Sequence, residues 1–341
     1  MSTRAAADPA RLMVECLDAL NNPRRPLLVG ETGAALATAL RKSGSEPCTW
    51  LREATASSQI EPSAWPEGEG FDAVLIRLPK AKDALLLALH AAASKTLAGS
   101  RIAVFGANAE GIRSVGRQLE PFVDDLATLG ARYHARVLAG LRKPVIAGLK
   151  GRLADWRTCK EIDIGGTKQV WVSYPGTFAK GGLDQGTAFL VAHLPGLAHG
   201  ARVLDFAAGT GVVAAALAAS GQKLQIDMIE PDQIALAAAR ENVPGASAFS
   251  GTDLSAAGER LYDLIISNPP IHDGLAESRH VVERLIAEAH RYLRPGGRLM
   301  LVVQRRVAVL PLLSRTLSNA RIVADDGRFT VAMAERDVHG R

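Results

Sequence analysis

Short apolar runs alternate with longer Ala/Leu-rich stretches along this 341-residue chain, and the alternation occurs twice. Continuous apolar runs suit strands buried on both faces, and the stretches between them carry the spacing of helices laid on a parallel sheet. In the first half the pattern predicts a strand at Pro26–Gly30, a helix at Ala34–Arg41, a strand at Phe71–Leu78, a helix at Lys82–Leu97 and a strand at Arg101–Phe105. In the second it predicts strands at Arg202–Phe206, Gln225–Glu230, Tyr262–Ser267 and Gly297–Val303, separated by helices at Val212–Ala219, Gln233–Glu241 and Ser278–Tyr292. Such alternation is the signature of an α/β doubly wound sheet. The length favours two domains, placed at 1–160 and 161–341.

The halves read as two copies of one plan. Phe71-Asp72-Ala73-Val74-Leu75-Ile76-Arg77-Leu78-Pro79-Lys80 parallels Tyr262-Asp263-Leu264-Ile265-Ile266-Ser267-Asn268-Pro269-Pro270, and each half has an early glycine-containing turn. The first turn, Gly30-Glu31-Thr32-Gly33, lacks the acid and the glycine spacing of the second. The expected fold class is therefore two tandem Rossmann-like domains arising by duplication, with a degenerate N-terminal copy.

Chemistry concentrates in the second half. Val203-Leu204-Asp205-Phe206-Ala207-Ala208-Gly209-Thr210-Gly211 is an apolar strand ending in an acid and a glycine turn that opens directly onto a helix. Glycines there let a ligand approach the backbone, and the helix N-terminus offers free N–H groups. Gly209 and Gly211 alone also fit a dinucleotide fingerprint. Asp205 decides between them: beside a pyrophosphate its carboxylate is repelled, whereas it pairs with the ammonium-bearing methionine end of the sulfonium cofactor S-adenosylmethionine. Glu230, ending the next strand just before Pro231, suits both hydroxyls of a ribose. Asp253, in Gly251-Thr252-Asp253-Leu254, follows the third strand, where a carboxylate suits the adenine amino group.

Ser267-Asn268-Pro269-Pro270 closes the fourth strand, and two prolines stop it abruptly and fix the backbone. An exocyclic amine on a base is a poor nucleophile because its lone pair is delocalised into the ring. Accepting its two N–H bonds at the Asn268 side-chain oxygen and the Pro269 carbonyl holds the nitrogen pyramidal, with its lone pair aimed at a sulfonium methyl. Catalysis of this kind is orientation and electrostatics, with no strong base. Asn268, Pro269 and Pro270 are the expected catalytic residues.

Asn268-Pro269-Pro270-Ile271-His272-Asp273-Gly274, with Phe178-Ala179-Lys180-Gly181-Gly182-Leu183-Asp184-Gln185-Gly186-Thr187 upstream, resembles the bacterial ribosomal RNA guanine-N2 methyltransferases, in particular those of the small subunit. The resemblance spans nearly the whole chain; Leu78-Pro79-Lys80 and Phe105-Gly106-Ala107-Asn108 match more softly. It implies a guanine of 16S ribosomal RNA in the 30S subunit as substrate. It also implies a cofactor pocket lined from Gly182 to Thr187 (Asp184, Gly186 and Thr187 among them) together with Asp205, Ala207, Gly209, Gly211, Glu230, Pro231, Thr252, Asp253 and Asn268. Phe178, Ile271, His272 and Asp273 are implied to meet the base. One departure stands out: the family usually has an aromatic residue after Asn-Pro-Pro, and Ile271 offers only an apolar face, which leaves Phe178 or His272 to stack.

Composition adds bounds. The net charge of +5 and pI near 9.2 suit a polyanionic partner without requiring one. Residues 131–160 hold Arg132, Arg136, Arg142, Lys143, Lys150, Arg152, Arg157 and Lys160 against Asp155 alone, and read equally as an RNA surface or a solvated basic connector between the domains. Cys16, Cys48 and Cys159 lack metal or disulfide spacing and are expected to pack in a reducing compartment. With neither a signal peptide nor an apolar run long enough to span a bilayer, the chain is expected to be cytoplasmic, off the membrane, metal-free and monomeric. The competing readings are guanine-N2 methylation of 23S RNA, methylation of a protein glutamine, and an RNA-binding assembly factor with a vestigial cofactor site.

Overall fold

The computed structural model describes residues 7–31, 33–56, 58–269 and 275–338. The chain divides into two compact units, 1–52 with 58–157, and 53–57 with 158–341.

In the first unit the elements are α1 (Pro9–Glu15), β1 (Pro26–Val29), α2 (Ala34–Lys42), β2 (Cys48–Trp50), β3 (Phe71–Arg77), α3 (Lys82–Lys95), β4 (Thr96–Ala107), α4 (Gly116–Leu119), β5 (Val123–Gly130) and β6 (Ala135–Arg142). They build a six-stranded sheet ordered β2-β1-β3-β4-β6-β5, parallel except for the antiparallel β6 and its partners.

The second unit contains β7 (Thr158–Ile164), β8 (Thr167–Ser173), α5 (Gln185–Val191), β9 (Arg202–Phe206), α6 (Val212–Ala218), β10 (Gln225–Glu230), α7 (Gln233–Asn242), β11 (Ser247–Ser250), β12 (Tyr262–Ser267), α8 (Leu275–Tyr292), β13 (Leu293–Gln304), α9 (Val309–Leu313), β14 (Ser318–Asp325) and β15 (Phe329–Glu335). Its seven-stranded sheet is ordered β11-β10-β9-β12-β13-β15-β14, with β7 and β8 as a separate hairpin. Both faces are buried, which is why the strands read as continuous apolar runs. Val203, Leu264, Ile266 and Met300 pack on one side with Leu190 of α5, Leu217 of α6 and Ala239 of α7. Leu204, Ile265, Leu299 and Leu301 pack on the other with Val282, Leu285 and Ile286 of α8. The chain runs outward from β9 through β10 to β11, then returns to lay β12 on the other side of β9. That reversal opens a crevice at the carboxyl ends of β9 and β12, where ligands bind in sheets of this type.

The duplication is visible residue by residue. Phe71 and Tyr262 each pair ahead of a register shift, after which Ala73 and Leu264 pair with Arg101 and Arg298. Asp72 accepts the backbone N–H of Arg25, and Asp263 that of Arg202 at the matching position. Leu28 lies opposite Leu75 where Asp205 lies opposite Ile266. Asp8 caps α1 through Arg11 N–H as Asp184 caps α5 through Thr187 N–H. On this correspondence the first unit carries Leu28, Leu51 and Arg77 in place of Asp205, Glu230 and Asn268. Two buried leucines replace the acids, and the Arg77 guanidinium is committed to Glu110 at 2.8 and 2.6 Å. The hydrogen bonds from Arg77 hold the Glu110 carboxyl below the usual range. The degenerate copy has therefore exchanged its polar pocket for apolar packing and a closed ion pair.

Residues 131–160 are not a basic connector. Ala135–Arg142 is β6, an interior strand between β4 and β5. Much of the charge serves local structure: Arg142 Nε donates to the Ala93 carbonyl (3.0 Å), Lys143 Nζ to the Glu120 carbonyl (2.7 Å), Arg152 pairs with Asp155 (3.0 Å), and Lys150 lies over the Trp156 ring. The strand escaped the sequence pattern because its apolar stretch, Val137–Leu141, is short, contains Gly140 and is bracketed by Arg136 and Arg142. Of the cysteines, Cys16 is buried and Cys48 half-buried, but Cys159 is exposed on β7, contrary to the packing expectation. No helix among the described residues is long and apolar enough to cross a membrane, and no cluster there has the makings of a metal site.

Candidate active site

The pocket at the carboxyl ends of β9 and β12 is lined by Phe178, Gly182, Thr187, Asp205, Ala207, Ala208, Gly209, Thr210, Val212, Val213 and Asn268. Its floor is the turn from β9 into α6. Ala207, Gly209 and Gly211 all have positive φ there, of 58°, 56° and 91°. A non-glycine residue held in this region is strained, and such strain gathers at ligand sites. A side chain built at Gly209 would meet nothing within 4 Å, so its bare backbone faces open space, whereas one at Gly211 would press on Val243. The one glycine admits a ligand and the other lets α6 and α7 approach.

Asp205 is buried at the end of β9, and its Oδ2 accepts the Ala214 N–H (3.1 Å) in the first turn of α6. Burial pushes its carboxyl up to about 8, and the neighbouring Glu230 pushes in the same direction. Glu230 ends β10 with both oxygens engaged, Oε2 by Gly209 N–H at 2.7 Å and Oε1 by Asp232 N–H at 3.0 Å. Burial raises it to about 7, with Asp232 and Glu53 adding repulsion. Two buried acids, each costly to ionise, beside a bare glycine backbone fit a ligand that brings positive charge and hydroxyl donors. S-adenosylmethionine has both, in its sulfonium and ammonium groups and in its ribose.

Asn268 lies at the opposite rim, half-buried. Its Nδ2 donates to Thr187 Oγ1 (2.8 Å) and Asp184 Oδ2 (3.2 Å). Asp184 also accepts the Gly186 and Thr187 N–H groups as the N-cap of α5. The cap thus fixes the asparagine amide and turns its oxygen away from these acceptors. Ser267 Oγ donates to the Phe206 carbonyl (2.7 Å), tying β12 to β9 just before Asn268. Pro269 is buried behind it, and Phe178 stands 43% exposed at the pocket mouth, able to offer a ring to a base.

Not every expected residue reaches the lining. Asp184 and Gly186 lie at the start of α5 beside Thr187, Glu230 accepts the Gly209 N–H, and neither Gly211 nor Pro231 lines the pocket. Asp253 caps the short helical turn that follows it by accepting Ser255 N–H (3.0 Å), and the Thr252 carbonyl accepts a bond from Arg284 of α8. Arg284 is thereby engaged with the Thr252–Asp253 loop. Pro270, Ile271, His272 and Asp273 lie outside the described residues. Sequence reasoning missed the brace beneath the glycine turn. Asn242 of α7 binds the Val172 N–H (2.8 Å) and carbonyl (3.0 Å) of β8 and the Thr210 carbonyl (3.0 Å), while Trp171 Nε1 donates to Thr210 Oγ1 (3.2 Å). These partners are too far apart in the chain for any motif to join them.

Residues 17–142 match the N-terminal domain of the methyltransferase small family, and residues 169–333 match the methyltransferase small domain itself. The chain is 31% identical over 270 residues to ribosomal RNA small subunit methyltransferase C of Alcanivorax borkumensis, covering 78% of this chain and 80% of that one. It is 33% identical over 270 residues to the protein of the same name from Pseudomonas entomophila, with the same coverage. The fold is similar to that of the T. thermophilus 16S rRNA N2 G1207 methyltransferase solved with AdoMet and guanosine, at a TM-score of 0.79 and 20% identity over 92% of this chain and 88% of that one. The chain belongs to the ribosomal RNA small subunit methyltransferase C family and is a methyltransferase.

Proposed function

We propose that the enzyme transfers a methyl group to the exocyclic N2 amine of a guanine in 16S ribosomal RNA, acting in the cytoplasm as a monomer on the 30S subunit. The T. thermophilus protein of similar fold is named for G1207, and the equivalent nucleotide is the proposed target. The supporting observation is the Asn268 amide, whose nitrogen is held by Thr187 and Asp184 so that its oxygen serves as an acceptor at the pocket rim.

Bound S-adenosylmethionine supplies an electrophilic methyl group. Asp205 receives its ammonium end, Glu230 its ribose hydroxyls, the Gly209 backbone its close approach, and the Thr252–Asp253 loop its adenine. Asn268 Oδ1 and the Pro269 carbonyl accept the two N–H bonds of guanine N2 and withdraw its lone pair from the ring. Phe178 offers an aromatic face to the base, and Ile271, His272 and Asp273 are the further residues proposed to contact it. The methylated amine is strongly acidic and gives its proton to water, so a dedicated base is not required. The first unit, which has lost the acids, serves in RNA docking or structural support.

The test is incubation of the enzyme and labelled cofactor with unmodified 30S subunits, 50S subunits, naked ribosomal RNA and ribosomal protein. Label is expected at guanine N2 of 16S RNA in 30S. Label found only in 50S, or only in protein glutamine, overturns the assignment.

A further inference from the structure

The second unit includes five residues, 53–57, that come from far upstream in the sequence, between β2 and β3. Glu53 forms an antiparallel bridge with Asp232, and Ala54 N–H donates to the Pro231 carbonyl at 2.9 Å. Pro231 and Asp232 directly follow Glu230. Asp232 N–H in turn binds Glu230 Oε1 (3.0 Å), and Glu230 Oε2 holds Gly209 N–H (2.7 Å). Hydrogen bonds therefore run from the 53–54 segment through Pro231–Asp232 and the Glu230 carboxylate to the floor of the pocket. Asp232 also caps α7 by accepting Ile234 N–H, so the same turn is fixed from its other end.

We infer that residues 53–54 form a strap that positions Glu230 for the cofactor ribose, making Ala54, through its backbone N–H, a positioning residue for cofactor affinity. The inference rests on the reading of Glu230 as the ribose acceptor. A short turn with a buried carboxylate can turn that group aside at little cost unless its backbone is held, and the Ala54–Pro231 bond holds it. The bonds from the strap lead to Glu230 and Gly209, so its effect belongs to cofactor binding and not to the methyl-transfer step.

The test uses the full-length enzyme and S-adenosylmethionine. Ala54→Pro removes the N–H, whereas Ala54→Gly retains it. Ala54→Pro is expected to raise the cofactor Kd and KM about tenfold with kcat at saturation unchanged, and Ala54→Gly to stay within about twofold of the parent. Glu230→Gln alone tests the underlying reading, because unchanged affinity in that variant removes the ribose role. In the Glu230→Gln background Ala54→Pro is expected to add little, as coupled sites do. Parental affinity in Ala54→Pro, or an undiminished loss in the double variant, overturns the strap. Hydrogen exchange on the unsubstituted protein gives an answer independent of folding: cofactor is expected to slow exchange in the peptide spanning 52–56, and unchanged exchange there also overturns it.

Discussion

At the scale of residues, the buried acids set the behaviour of the pocket. Asp205 and Glu230 have carboxyls raised to about 8 and about 7 by burial. An acid whose pKa is higher folded than unfolded holds its proton more tightly when folded. Its contribution is full below the ordinary carboxylate range and is lost as pH rises toward 8. The melting temperature of the ligand-free enzyme is thus expected to fall between pH 6 and pH 8.5, and Asp205→Asn to flatten that fall. S-adenosylmethionine should raise the melting temperature more at pH 8.5 than at pH 6, since it pairs with the ionised forms. A ligand-free melting temperature that climbs over this interval in the parent, with no difference in Asp205→Asn, contradicts the account. Asn268 carries the chemistry in the proposed mechanism, and Asn268→Ala should lower kcat by on the order of 10²–10³-fold with cofactor affinity largely kept. Near-parental turnover would reject the asparagine as the acceptor. Thr187→Val removes one of the two groups holding the amide, and a kcat loss on the order of tenfold is expected from misorientation; an unchanged kcat would mean that Asp184 suffices.

At the scale of elements, two pieces remote in sequence fix the glycine turn, α7 through Asn242 and the β7–β8 hairpin through Trp171, while α5 fixes the Asn268 amide through its Asp184 cap. Asn242→Ala removes three hydrogen bonds and strands buried backbone groups, an expected loss of about 2–3 kcal/mol. Denaturant unfolding measures it, and a loss below about 0.5 kcal/mol would show that the brace is dispensable. The predicted strands Arg202–Phe206, Gln225–Glu230 and Tyr262–Ser267 match β9, β10 and β12, because strands buried on both faces announce themselves as apolar runs. The missed elements share the opposite property. β14 is largely exposed and the β7–β8 hairpin is polar on one face, while the apolar run of β6 is short, contains Gly140 and is bracketed by Arg136 and Arg142.

At the scale of the whole molecule, two sheets of one design carry one complete site. Leu28, Leu51 and Arg77 occupy the positions of Asp205, Glu230 and Asn268, so calorimetric titration should find one S-adenosylmethionine per chain. It should find none when Asp205 and Glu230 are both replaced by alanine in a variant that retains its circular dichroism. A stoichiometry of two would show that the first unit had kept a site.

The sequence by itself determined the α/β class, the doubled plan, the glycine turn with Asp205 and Glu230 at successive strand ends, and Asn268-Pro269 after β12. These are local properties: strand-end positions follow from apolar periodicity, and turn chemistry is written in adjacent residues. Only the tertiary structure decided which groups meet across the chain. It brought Thr187 and Asp184 to the Asn268 amide from more than 80 residues upstream. It set Asn242 against the glycine turn, placed strand Ala135–Arg142 within the basic segment, and bonded Glu53 and Ala54 to Asp232 and Pro231. Such pairings depend on topology and register, which bring together residues whose separation along the chain carries no periodic signal.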